Sequence, residues 1–181
     1  MERKELFKKT MDALWKAYTS KHLIHGDPCG CAVGNLVCNA MNQQNFLLRK
    51  PIILGGHIAW TDVIGFHIDD QCHMDAAAKR QVKSTGYSPE EISMIEHAFE
   101  FRNEDGSSAF EFDGSRKDKS GKLGFINVLK TLGKIHKAPE VAKCLIEHVK
   151  KGTYTYETEA FKNFYKPKKV KTKFGEISVV K

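Results

Sequence analysis

The sequence predicts a mainly α fold: a compact helical domain of five or six helices over residues 1–150, then a basic C-terminal arm over 151–181 that can hold a small β-hairpin. Three observations lead there. Apolar residues recur at intervals of three and four along much of the chain, and cap and turn residues punctuate those runs. Alternation at period two appears only near the C-terminus. A chain of 181 residues, 41% of them apolar, can also bury a core without crosslinks.

The elements follow in order. Over residues 3–19, Phe7, Met11, Leu14 and Tyr18 fall on one helical stripe that Leu6 and Trp15 widen. Gly26 stops this helix; Asp27 as N-cap and Pro28 at the first helical position start another, reaching about Gln43. The second helix is rich in small residues: Gly30, Cys31, Ala32, Gly34, Cys38 and Ala40. An interior glycine costs about 1 kcal/mol relative to alanine, so another backbone or a ligand is expected to approach closely here. Residues 51–54 read as an extended connector, 56–60 as a short helix or turn, and 75–83 as a helix stopped at Gly86.

Ser88-Pro89-Glu90-Glu91 is a capping box, with Tyr87 and Ile92 placed as a hydrophobic staple. Ile92, Ile95 and Phe99 face inward from that helix, while Glu96 reads as a solvated residue. A polar excursion over 102–120, anchored by Phe110 and Phe112, precedes a helix capped by Ser120. Leu123, Ile126, Leu129, Leu132 and Ile135 give that helix its core face, and His136 near its end complements the dipole. Pro139 breaks it, and a shorter helix carrying Val141, Cys144, Leu145, His148 and Val149 runs to Gly152. Residues 153–156 and 174–180 then alternate as strands do.

Charge singles out the arm. The chain carries a net +7, and residues 151–181 hold eight lysines against three glutamates. Tyr154, Tyr156, Phe161, Phe164 and Tyr165 are interleaved with those lysines, a pattern that suits base stacking beside phosphate contacts. Lys166, Lys168, Lys169, Lys171 and Lys173 are therefore the candidate contacts to nucleic acid or an acidic protein. The same composition equally fits a solubilising terminus whose aromatics fold onto the domain. No apolar run reaches the roughly 20 residues that span a bilayer, so no membrane partner is expected. A charged N-terminus argues against a secretory leader, and five unpatterned cysteines fit reduced thiols of a cytoplasm.

Two chemistries converge on the segment around Cys29 and Cys31. His22, His25, Cys29 and Cys31 lie within ten residues and supply the donor types zinc prefers, with His67, Cys72 and His73 as a second cluster. Cys-x-Cys departs from the usual Cys-x2-Cys knuckle, and these side chains also suit helix packing. Alternatively, Cys29 or Cys31 at a helix start is a thiolate nucleophile, with His57 as base and Asp62 as its orienter. Ferredoxin spacing, a dinucleotide fingerprint and a calcium-loop pattern are all missing.

The block Cys29, Cys31, Ala32, Val33, Gly34, Asn35, the later Trp60, the run Gly86, Tyr87, Ser88, Glu91, Ile95, Glu96, Phe99, and the closing Gly124, Val128, Leu129 form a recognisable set. Over residues 1–150 the chain resembles an uncharacterised family of Bacteroidetes genomes and their phages. That resemblance implies kinship and no particular activity. The function expected from sequence is a non-catalytic binding or accessory role in a phage, mobile-element or bacterial cytosolic setting. The alternative is a thiol- or zinc-dependent enzyme built around Cys29, Cys31 and His57.

Overall fold

The computed structural model describes residues 2–25, 30–40, 82–100, 120–153, 155–165, 168–172 and 175–179. They form a mainly helical body. Its elements are α1 (Arg3–Thr19), α2 (Ala32–Ala40), α3 (Pro89–Glu100), α4 (Lys122–Ile135), α5 (Pro139–Lys151) and α6 (Glu159–Tyr165), followed by strands β1 (Lys168–Thr172) and β2 (Gly175–Val179). No helix among the described residues is long and apolar enough to cross a membrane.

α1 runs over the predicted span, and Phe7, Met11 and Leu14 are fully buried along its stripe. α4 sits at the centre, packed against α3, α5 and α1, while α2 bridges α1 and α3. Trp15 and Tyr18 of α1 meet Phe125 of α4 with ring centroids 5.6 and 4.9 Å apart, the tilted and edge-on geometries aromatic quadrupoles favour. The crossing of α4 over α5 depends on Gly133: a Cβ there would stand 2.5 Å from Ala142 Cβ.

The capping box at α3 is present in both directions. The Ser88 backbone N–H donates to Glu91 Oε2 at 3.0 Å, and the Glu91 N–H donates to Ser88 Oγ at 3.3 Å. The Arg3 guanidinium also grips the Glu91 carboxylate and holds its pKa below the usual carboxylate range, tying the start of α1 to the start of α3. α5 begins with Pro139 at its first position and ends at Gly152, whose left-handed backbone caps it.

Several sequence expectations are corrected. α2 begins at Ala32 rather than at Pro28, because Cys31, not Asp27, precedes its first helical residue; residues 26–29 and 41–43 lie outside the described set. At α4 the cap position falls on Gly121, with Ser120 Oγ one residue earlier accepting from the Lys122 N–H at 3.3 Å. Described residues of 153–156 form no strand. The segment after them is the short helix α6, capped by Thr158 Oγ1, which accepts from the Phe161 N–H at 3.0 Å. β2 falls within the expected 174–180, but it pairs antiparallel with β1, from Lys168 opposite Val179 to Thr172 opposite Gly175. Phe161 and Phe164 pack on Phe7, and Tyr156 packs on Trp15, so the first part of the arm belongs to the core. The readings at 51–54, 56–60, Trp60, 75–81 and 102–119 lie outside the described residues.

His136 does not act as a cation at a helix end. It is buried, stacked on Phe7 with centroids 4.5 Å apart, and burial pushes its pKa down to about 4, so it is neutral at physiological pH. Its Nε2 lies 2.8 Å from the Tyr87 hydroxyl, which in turn lies 2.7 Å from Thr10 Oγ1. This buried relay fastens α1 to the turn before α3 and to the end of α4. Replacing Tyr87 with phenylalanine leaves both partners desolvated and unpaired. The expected loss is about 1–3 kcal/mol of unfolding free energy, read as a lower denaturant midpoint at unchanged slope; an unchanged midpoint contradicts the relay.

Candidate functional site

Sequence dictates an unusual junction where α2 meets α3. Every residue of α2 from Ala32 to Cys38 is buried, so this short helix is surrounded rather than half-exposed. Cys31 occupies the position just before it. The Cys31 sulfur accepts from the Gly34 N–H at 3.2 Å, as a serine or aspartate cap oxygen would. Asn35 Nδ2 reaches back to the carbonyl oxygens of Gly30 and Cys31, both at 2.9 Å. The Ile24 N–H donates to the Gly30 carbonyl at 2.9 Å, which holds the backbone beside His25 against the approach to α2. Small residues and one amide thus set the sulfur at the start of a buried helix.

α3 supplies the opposing wall. Glu96 follows Ile92 by four residues and Glu100 follows Glu96 by four, so both carboxylates lie on the buried face that Ile92 and Phe99 define. Glu96 is 2% exposed and Glu100 is 6% exposed, which corrects the reading of Glu96 as solvated. One donor atom from each of Cys31, Glu96 and Glu100 lies within 4.8 Å of the other two. His25 completes the wall: its side chain is fully buried, and its Nδ1 stands 3.7 Å from Glu100 Oε2.

Electrostatics at the junction are dominated by the loss of water. Burial, with the neighbouring Glu100 charge adding to it, raises the Glu96 pKa to about 8, against the Cys31 thiol and Val33 N–H that hydrogen-bond it. Burial likewise drives the Cys31 thiol well above its ordinary value, helped by the charge of Glu96. Burial at this position thus works against the thiolate form that a helix start would favour. Glu96 Oε2 is buried with no hydrogen-bond partner among the described residues. A carboxylate so placed requires a proton or a cation.

Of the residues singled out from sequence, His25 and Cys31 are brought to one place. His22 is exposed, with Nδ1 3.2 Å from Ser20 Oγ. Cys29, His57, Asp62, His67, Cys72 and His73 lie outside the described residues, as do Lys166 and Lys173. Lys168, Lys169 and Lys171 fall on β1. Glu96 and Glu100 were missed, although the stripe periodicity of α3 already marks both as inward. Comparison with protein-family models, curated proteins and solved structures finds no match to this chain.

Glu96 carries its proton in the folded protein up to about pH 8, whereas the unfolded chain releases it near pH 4.5. The stabilisation is complete below pH 4.5 and is lost as the pH climbs toward 8. Relative to Glu96→Gln, the wild-type unfolding free energy is expected to fall by about 1.4 kcal/mol per pH unit across that window. Urea titrations at pH 5, 6, 7 and 8 check this, and a pH-independent difference contradicts the burial of an ionisable carboxyl.

Proposed function

We propose that the protein is a metal-binding protein in which Cys31, Glu96 and Glu100 hold a divalent cation at the α2–α3 junction. The observation that carries this reading is the buried Glu96 Oε2, without a hydrogen-bond partner among the described residues, within a group of three mutually adjacent donors. A cation there replaces the protons that the metal-free site needs and satisfies all three donors together. The three residues are nearly inaccessible to solvent, at 1%, 2% and 6% exposure, which favours a closed, structural type of centre over one that admits a substrate. The function is accordingly binding rather than thiol catalysis.

Protein stripped with a chelator and dialysed separately against zinc, manganese, magnesium and calcium is expected to retain about one equivalent of at least one ion, measured by elemental analysis. The Glu96→Gln, Glu100→Gln double variant is expected to retain none of it. Failure of wild type to retain any of the four ions removes the reading.

A second reading concerns the arm. Three lysines, Lys168, Lys169 and Lys171, share strand β1, and the hairpin follows directly on a helix anchored in the core by Phe161. This supports a polyanion-contacting role, with nucleic acid as the ligand. Truncation after Tyr165 leaves the core aromatics in place. It is expected to abolish binding to a short DNA duplex, whereas intact protein loses affinity steeply as salt rises. Equal binding by the truncated chain would refute this role.

A further inference from the structure

The imidazole of His25 is held too firmly to be an incidental neighbour of the carboxylates. It stacks on Phe99 with ring centroids 4.4 Å apart and planes 13° from parallel. Gly124 of α4 abuts the edge of this stack: a Cβ there would fall 2.6 Å from His25 Cε1, 2.8 Å from Phe99 Cδ2 and 2.8 Å from the Phe99 carbonyl oxygen. Only glycine leaves room for the ring at this crossing, since the Phe99 carbonyl belongs to helix backbone and cannot step aside. The ring is therefore confined where α3 and α4 cross, with Nδ1 3.7 Å from Glu100 Oε2.

We propose that the ion is a borderline-soft transition-metal ion of the zinc class, held four-coordinate by Cys31 Sγ, His25 Nδ1 and one oxygen each of Glu96 and Glu100, with Gly124 as the positioning residue for the imidazole. This rests on the metal-binding reading above and adds to it the fourth ligand, the class of ion and the device that fixes the ligand. The donor chemistry selects the ion. One sulfur and one imidazole nitrogen beside two carboxylate oxygens suit zinc, cobalt or nickel and are poor partners for magnesium or calcium, which take oxygen donors. The separation of His25 from Glu100 suits a small coordination sphere. In a tetrahedral zinc site, nitrogen and oxygen ligands stand roughly 3.4 Å from each other, and His25 Nδ1 and Glu100 Oε2 are 3.7 Å apart. Closing from the 4.8 Å limit of Cys31, Glu96 and Glu100 requires side-chain movement of about 1 Å, and bringing them onto His25, which stands outside that limit from at least one of them, requires more.

Each ligand also arrives with its own support. Cys31 is fixed by the cap bond from Gly34 and by the Asn35 amide beneath it. Glu96 and Glu100 stand one turn apart on a single helix. His25 follows Ile24, whose N–H donates to the Gly30 carbonyl. The four donors thus join His25 and Cys31 to Glu96 and Glu100, which are distant in sequence, while Gly124 brings α4 against the imidazole.

Cobalt(II) added to the chelator-stripped full chain reports the ligand set directly. Four-coordination with one thiolate is expected to give strong visible d–d bands and a sulfur-to-cobalt charge-transfer band in the near ultraviolet. Cys31→Ser is expected to abolish the charge-transfer band, and His25→Gln to weaken the visible bands and lower cobalt affinity by at least about 100-fold. Gly124→Ala, which removes no donor, is expected to lower affinity by roughly 10–100-fold and alter the visible spectrum. Gly133→Ala is the control: it crowds Ala142 on the same helix, away from the site, and is expected to lower stability while leaving the cobalt spectrum unchanged. Cobalt bound without a charge-transfer band, or with a spectrum and affinity indifferent to His25→Gln, overturns the ligand set while leaving a carboxylate-bound ion intact. An unchanged spectrum and affinity in Gly124→Ala overturns the positioning role. No uptake of any ion by wild type overturns the metal-binding reading itself, and this inference with it.

Discussion

Burial of two carboxyl groups beside a thiol, at the start of a helix that is itself buried, is the constraint around which this protein is arranged. Removing Glu96 and Glu100 from water costs several kcal/mol for each group that stays ionised, and an interior accepts that cost only where something compensates. Amide donors from the first turn of α2 supply part of the compensation through the bonds to Cys31 and Glu96. A proton or a metal ion supplies the rest. Because Cys31, Glu96 and Glu100 must meet, α2 cannot slide along α3, and the turn that delivers His25 is fixed with it.

α4 packs against that junction and carries α5 along with it. α4 comes so near to α3 that Gly124 has no room for a side chain, and the same helix uses Gly133 to admit α5 at its other end. These are two close approaches on one helix, serving different purposes: the first confines an imidazole, the second only allows helices to pack. On the far side, Phe7 receives His136, Phe161 and Phe164, so α1 links the end of α4 to α6 through stacked and edge-on rings. The tyrosine relay through Tyr87 supplements these apolar contacts with polar ones that specify register.

How far the sequence disclosed this depends on the range of the interactions. Local signals were legible. The stripe of α1, the Ser88–Glu91 capping box and the Pro139 and Gly152 boundaries of α5 each follow from residues within a few positions of one another. The small-residue segment was rightly expected to be pressed on closely, as the burial of all α2 residues up to Cys38 bears out. Non-local facts were harder. The pairing of β1 with β2 was hidden because 153–156 alternates like a strand, yet Tyr156 is drawn onto Trp15 and Phe161 by packing that no local pattern encodes. Glu96 and Glu100 were overlooked because charged residues on a helix normally face water. Their spacing from Ile92 and Phe99 argued otherwise. His25 and Cys31 were recognised as ligand types, but the carboxylates that meet them come from a helix some 65 residues further on.

Crystals of the protein grown with zinc, measured on both sides of the zinc absorption edge, test the central claim most directly. The account predicts a strong anomalous difference peak bounded by Cys31, Glu96 and Glu100, with the Glu96 carboxylate turned onto it. An empty junction at saturating zinc, with the Cys31 thiol still hydrogen-bonded to a Glu96 carboxyl group, would contradict it and leave a shared proton as the reason these groups are buried.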